Sequence, residues 1–108
     1  MNGYAKKLVK RIYSIISDTP EIRSDKQRKR TMYILIRSEI ALYKQKAEEE
    51  RKNNIDSNEL YARPSEDEMR IHIISNLVTL GKMEEGMSSQ EWGLHICKVV
   101  GAYEQSWK

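Results

Sequence analysis

The sequence has few of the residues that mark several common classes of small protein. Its 108 residues include one cysteine, two prolines, five glycines and no phenylalanine. A single cysteine excludes an internal disulfide framework and gives no sign of an oxidising compartment. No apolar run approaches the roughly 18 residues that a membrane span needs, and no signal-peptide pattern is present. The sequence therefore predicts a cytoplasmic protein without an integral membrane segment.

The scarcity of proline and glycine leaves long stretches in which apolar residues recur every three or four positions. This period is typical of amphipathic helices, and β-branched alternation is nowhere sustained. We expect a single all-α domain folded as an antiparallel four-helix bundle. Two long helices plus one hairpin, or a dimer that completes the core, are the alternatives. The expected helices cover about 3–17, 25–52, 65–80 and 89–106, with a loop over 53–64.

Capping residues indicate where the helices begin. The strongest signal is Ser65–Glu68 after Pro64, because it fits a capping box and places three carboxylates at the positive end of a helix dipole. Ser88–Glu91 offers a second box. The second helix can begin after Thr19, with Pro20 at its first position, or after Ser24, and we favour Ser24.

The first and third helices differ in how their apolar residues are spread. The first sorts into an apolar side and a basic side, a pattern that suits either packing in a bundle or lying on an anionic membrane. Packing is favoured, because removing these residues would leave too little core. The third has apolar residues over about 200° of arc and is expected to be the most buried helix. Those residues are Met69, Ile71, Ile73, Ile74, Leu77, Val78 and Leu80.

Charge is unevenly divided between the two halves of the chain. Residues 1–54 contain 14 Lys and Arg against 7 Asp and Glu, whereas residues 55–108 contain 5 against 9. The halves thus carry +7 and −4, giving the net charge of +3. Such a dipolar distribution bears on partners rather than on fold, unless the two halves pack together and neutralise each other.

No arrangement typical of catalysis or metal binding is found. The sequence contains two histidines, and His72 is expected on the polar arc of the third helix. His95 and Cys97, two positions apart on one helix, point in nearly opposite directions and cannot share a metal. A phosphate-binding glycine loop, a nucleophile elbow and paired carboxylates are also missing. We therefore expect no catalytic residues, no metal and no cofactor, and a protein that is not an enzyme.

One dense basic run is a candidate phosphate-binding patch. It is not interleaved with aromatic residues that could stack on bases, and the chain does not fit helix-turn-helix spacing. A solvated helix start is the alternative interpretation, and an acidic protein or lipid surface is another. The basic patch consists of Arg23, Lys26, Arg28, Lys29 and Arg30.

Several segments resemble immunity proteins for pediocin-like bacteriocins, the enterocin A immunity family. Residues 5–18 (AKKLVKRIYSIISD), followed by Pro20-Glu21, are similar to the opening helix of that family. Residues 42–46 (LYKQK) are similar to the end of its second helix. Leu77 and Leu80, then residues 82–83 and 88–92, lie where its last helical hairpin would be.

The resemblance implies a cytoplasmic, non-enzymatic helical bundle that protects its producer. In that family, protection is thought to involve the membrane receptor of the bacteriocin, the mannose phosphotransferase permease, and the C-terminal hairpin sets specificity. The corresponding region here is the fourth helix and the segment before it, where Leu94 is expected to be an exposed apolar residue. The implied partner-binding residues are Trp92, Leu94, His95, Lys98 and Trp107.

Two classes of function therefore remain open. The first is a protein-interaction module, either of immunity type or a mobile-element protein that inhibits a host protein. The second is a small basic regulator that binds nucleic acid through the basic patch. A homodimer is compatible with both.

Overall fold

The computed structural model is a bundle of four α-helices. It describes residues 3–21, 24–53, 64–81 and 86–107. The helices are α1 (Tyr4–Asp18), α2 (Asp25–Asn53), α3 (Glu66–Leu80) and α4 (Ser89–Gln105). Their bounds lie within one residue of the expected ones, and every pair of helices is in contact. The all-α four-helix bundle is confirmed, and most of the expected loop over 53–64 lies outside the described residues.

Two carboxylates show the direction of the helices, because each joins the N-terminal ends of two of them. The backbone N–H groups of Tyr4 and Ala5, in the first turn of α1, donate to Asp67 in α3 at 2.8 and 2.9 Å. The backbone N–H of Ser89, in α4, donates to Asp25 in α2 at 2.9 Å. The N-termini of α1 and α3 therefore lie at one end and those of α2 and α4 at another, so that consecutive helices run antiparallel.

The expected capping residues are in place at three helix starts. Ser65 accepts from the backbone N–H of Glu68 at 3.1 Å while the Glu68 carboxylate accepts from the backbone N–H of Ser65, which completes the capping box. The Ser88 hydroxyl accepts from the backbone N–H of Glu91. Ser24 accepts from Gln27 in the same way, so the later of the two expected starts of α2 is confirmed.

The core receives side chains from all four helices. Burying apolar surface of this kind is the main stabilising contribution to the folded state. The apolar face of α1 packs inside the bundle, which confirms packing rather than a lipid-facing role for those residues. The buried apolar residues are Ala5, Leu8, Val9, Ile12, Ile15, Met32, Ile36, Ile40, Ala47, Ile71, Ile74, Val78, Trp92, Ile96 and Val100.

Helix α4 approaches α1 closely through a glycine. A Cβ added at Gly93 would lie 2.7 Å from Cγ2 of Ile16, closer than two such carbons can pack. The absence of a side chain at this position therefore sets the distance between the two helices.

Candidate interaction surfaces

The structure corrects one residue of the expected partner-binding set. Trp92 is fully buried in the core. Its indole N–H donates to the carbonyl oxygen of Gly81 at 2.6 Å, and its ring packs edge-on against Tyr33 with ring centroids 6.2 Å apart. The prediction of Trp92 as a partner contact is therefore wrong, because its side chain holds the end of α3 to the start of α4.

Three other members of that set lie on the surface of α4. Leu94 is 63% exposed, so the prediction that it is an exposed apolar residue is confirmed. Lys98 is one helical turn further along and is also exposed. His95 is exposed beside the end of α3, close to Gly81. These three residues are available for contact with another molecule.

Trp107, the fifth member, is half-buried at the end of α4. Its ring packs edge-on against Tyr103 at 5.3 Å, and the guanidinium of Arg70 in α3 lies 4.6 Å from the ring centroid. Its indole nitrogen is buried and has no hydrogen-bond partner among the described residues. Trp107 therefore ties the end of α4 to α3 and presents only part of its ring to solvent.

The expected basic patch is divided between structural and exposed residues. Arg28 donates to the carbonyl oxygen of Thr19 at 2.9 Å, to the Ser89 hydroxyl at 2.8 Å and to the carbonyl oxygen of Ile16 at 3.3 Å. The Lys29 ammonium is buried and donates to the carbonyl oxygen of Met87. Arg28 thus joins the start of α2 to the end of α1 and the start of α4, and Lys29 joins it to the segment before α4.

This arrangement corrects the prediction that all five basic residues form a phosphate-binding patch. Arg28 and Lys29 use their donors within the protein, so they are not presented to a phosphate. Lys26 and Arg30 are exposed, and Arg23 lies outside the described residues. Two exposed cations remain at the start of α2.

Asp25 completes the connection between α2 and α4. Its carboxylate accepts the Ser89 hydroxyl at 2.5 Å and the Ser89 backbone N–H at 2.9 Å. The side-chain bond from Ser89, followed by its backbone bond and the nearby charges of Lys29 and Arg28, lowers the pKa of Asp25 below its ordinary value. The carboxylate is therefore held in its charged form.

Helix α3 is apolar on two opposite faces. Ile71, Ile74 and Val78 are fully buried, as expected. Its outer face carries large apolar side chains that no described residue covers, and α1, of equal length, has five buried residues against four in α3. The prediction that α3 is the most buried helix is therefore wrong. We name the following residues the α3 apolar row: Met69, 55% exposed; Ile73, 38% exposed; and Leu80, 81% exposed.

A row of cations follows the neighbouring face of α2. Four exposed basic residues are spaced by four, seven and seven positions, which places them on one side of the helix. We name these residues the α2 cationic row: Lys26, Arg30, Arg37 and Lys44. Within the described part of the chain, no ion pair joins any of them to a carboxylate.

Contacts between α2 and α3 place these two rows next to each other. Arg37 donates to the hydroxyls of Ser75 and Thr79 at 2.9 and 3.1 Å. Further along, Arg51 pairs with Glu68 at 2.8 Å, with both side chains largely buried. Between α2 and α3 lies a cavity of about 370 Å³. Its lining consists of Lys44, Glu48, Arg51, Pro64, Glu68, Met69, His72 and Ile73.

Among the described residues, one ion pair joins the basic half of the chain to the acidic half. Of the ion pairs between described residues, Arg51–Glu68 joins the basic half to the acidic half, whereas Arg11–Glu39, Lys52–Glu48 and Arg70–Glu66 each form within one half. Among the described residues, the members of the α2 cationic row therefore stay outside these ion pairs.

Two histidines and one cysteine lie among the described residues. No group of three or more histidine, cysteine, aspartate or glutamate side chains among them could hold a metal ion. His72 is exposed, as expected. Cys97 is half-buried, and burial raises the pKa of its thiol, which keeps the sulfur protonated near neutral pH. None of the described helices is long and apolar enough to cross a membrane.

Comparison with known proteins adds no relative. No family model matches the chain, and neither curated proteins nor solved structures include a match.

Proposed function

We propose that the protein is a non-enzymatic interaction module that acts by binding a partner protein. The observation that carries this proposal is the α3 apolar row on a helix whose opposite face already fills the core. Single apolar residues on a surface are ordinary, but aligned ones on a monomer are typical of interaction sites. Leu94 on α4 adds a further exposed apolar side chain.

Within this class we propose a bacteriocin-immunity-like role for a cytoplasmic protein. The four-helix bundle agrees with the fold that the resemblance implies, and exposed Leu94, His95 and Lys98 lie on the helix that would set specificity. The partner would be a membrane permease in complex with the bacteriocin. An inhibitor of a host protein encoded by a mobile element would use the same kind of surface.

A survival assay tests the immunity role. The gene is expressed in a bacterium sensitive to pediocin-like bacteriocins, and growth is measured under challenge with a panel of these peptides. We expect growth under at least one of them, and loss of growth in Leu94→Ser with Lys98→Gln. Val99→Thr, half-buried on the same helix, controls for effects on the fold. Sensitivity to every peptide of the panel at normal expression would contradict the immunity role.

The α2 cationic row favours nucleic acid as a second candidate partner. Its four exposed cations could contact successive phosphates, and such binding weakens steeply with salt. Filter binding to duplex and single-stranded DNA at two salt concentrations separates the two classes. Salt-sensitive binding that is lost in Lys26→Gln with Arg30→Gln supports a nucleic-acid regulator. No binding at low salt supports the protein-interaction module.

A further inference from the structure

The α3 apolar row has the spacing that a docked helix requires. Its members are separated by four and seven residues, so they lie on one side of α3 over about 16 Å. Amphipathic helices dock in grooves through apolar anchors at intervals of three, four and seven residues. The spacing of the α3 apolar row therefore matches the spacing of the apolar anchors on such a partner helix.

The surface beside the row is concave. Met69 and Ile73 line the 370 Å³ cavity between α2 and α3, with Lys44 among the α2 residues of its lining. A groove between two helices accepts apolar side chains from a third helix, because both walls contribute contacts. A helix that lies on a membrane buries its apolar face in the lipid interface, whereas Met69 and Ile73 lie along a recess.

Charge determines which kind of helix fits this groove. Since α2 and α3 are antiparallel, Lys44 lies level with the Met69 end of the row, and Arg37, bonded to Thr79, lies level with the Leu80 end. The α2 cationic row extends over about 27 Å along that side. A helix seated on the apolar row would face Lys44 and Arg37 along its edge, and its continuation past Leu80 would face Arg30, which favours carboxylates on that edge.

We propose that the α2–α3 groove binds an amphipathic helix of a partner protein, with apolar anchors on the α3 apolar row and an acidic edge along the α2 cationic row. The inference rests on the proposed partner-binding function and adds the chemistry of the partner. A second copy of this chain fits less well, because its own α2 cationic row would approach the first and the like charges would repel.

A pair of synthetic peptides tests this proposal on the full-length protein. Each is a fluorescently labelled helix of about 18 residues with leucines at the docking interval. One has glutamates beside the leucines, and the other has lysines at the same positions. We expect the acidic peptide to bind at least about tenfold more tightly than the basic one in fluorescence anisotropy, and its binding to weaken with added salt.

Variants of the two rows locate the binding. Met69→Ser with Leu80→Ser should lower the affinity for the acidic peptide about tenfold or more, because the apolar anchors lose their contacts. Arg30→Gln with Lys44→Gln should lower it and reduce the salt dependence, while leaving the hydrogen bonds of Arg37 intact. Leu35→Ser with Lys10→Gln, at two exposed residues outside both rows, is the control and should bind as the wild type does.

Three results would overturn the proposal. The first is equal binding of the two peptides, or no binding of either. The second is loss of binding in the control variant rather than in the row variants. The third is a stronger effect of the row variants on binding to phosphatidylglycerol vesicles, or on dimerisation measured by sedimentation, than on peptide binding.

The survival assay separates failure of this surface from failure of the proposed function. Protection that depends on Leu94 and Lys98 but withstands Met69→Ser with Leu80→Ser would leave the immunity role in place and overturn the groove as its binding site. Binding of the acidic peptide through the two rows, without any protection, would support the groove and contradict the immunity role.

Discussion

Helices α1 and α3 are equal in length and run in the same direction, yet they expose opposite kinds of surface. Each has 15 residues, and Asp67 of α3 holds the start of α1. The outer side of α1 carries Lys6, Lys7, Lys10 and Arg11, whereas the outer side of α3 carries the apolar row. The apolar face of α1 is buried inside the bundle. The outer apolar face of α3, in contrast, is not covered by any described residue.

The inner faces of the two helices should be equally important for stability. Ile12→Ala in α1 and Ile74→Ala in α3 each remove a fully buried side chain and should lower the free energy of unfolding by about 2–5 kcal/mol. Urea unfolding followed by circular dichroism measures this loss. Ile73→Ala, on the outer face beside Ile74, is the control and should cost much less. A cost for Ile73→Ala as large as that for Ile74→Ala would remove the distinction between the faces.

The carboxylate that joins the two helices should have the next largest effect. Asp67→Ala leaves two backbone N–H groups at the start of α1 without their acceptor, and the free energy of unfolding should fall by about 1–2 kcal/mol. Amide hydrogen exchange should quicken in the first turns of α1 and not in α4. Glu66→Ala, next to it and exposed, is the control. An equal effect of the two substitutions would show that general helix-dipole electrostatics is responsible.

The bounds of the helices could be predicted from the sequence more accurately than the contacts between them. Spacing and capping residues are local properties, so the bounds and the Ser65–Glu68 box could be predicted. The hydrogen bonds of Asp67 and Arg28 could not be predicted, because the groups that they contact lie 9 to 63 positions away in the chain. The width of the apolar arc on α3 could be read from the sequence. The spacing of apolar residues does not show, however, whether another part of the protein covers them.

Asp25 joins the starts of α2 and α4 in the way that Asp67 joins those of α1 and α3, and its contribution to stability depends on pH. The pKa of Asp25 is lowered in the folded protein, so its contribution to stability is complete above its unfolded value near 3.8 and is lost as the pH falls through the lower folded value. Asp25→Asn should therefore be less stable than the wild type at pH 7, and the difference should shrink below pH 3.8. Urea midpoints across this range measure it. A difference that stays constant down to the acid limit would contradict the assignment.

The smallest change in stability is expected at Leu80, the most exposed member of the α3 apolar row. Because its side chain is 81% exposed, Leu80→Ser removes little packing and should change the free energy of unfolding by less than about 0.5 kcal/mol. Lys10→Ser, on the outer side of α1, is the matched control and should behave alike. A loss above about 1 kcal/mol for Leu80→Ser alone would mean that the chain itself covers this face. An unchanged stability would instead show that the fold does not need a leucine here, which is the result that the proposed binding role of the α3 apolar row requires.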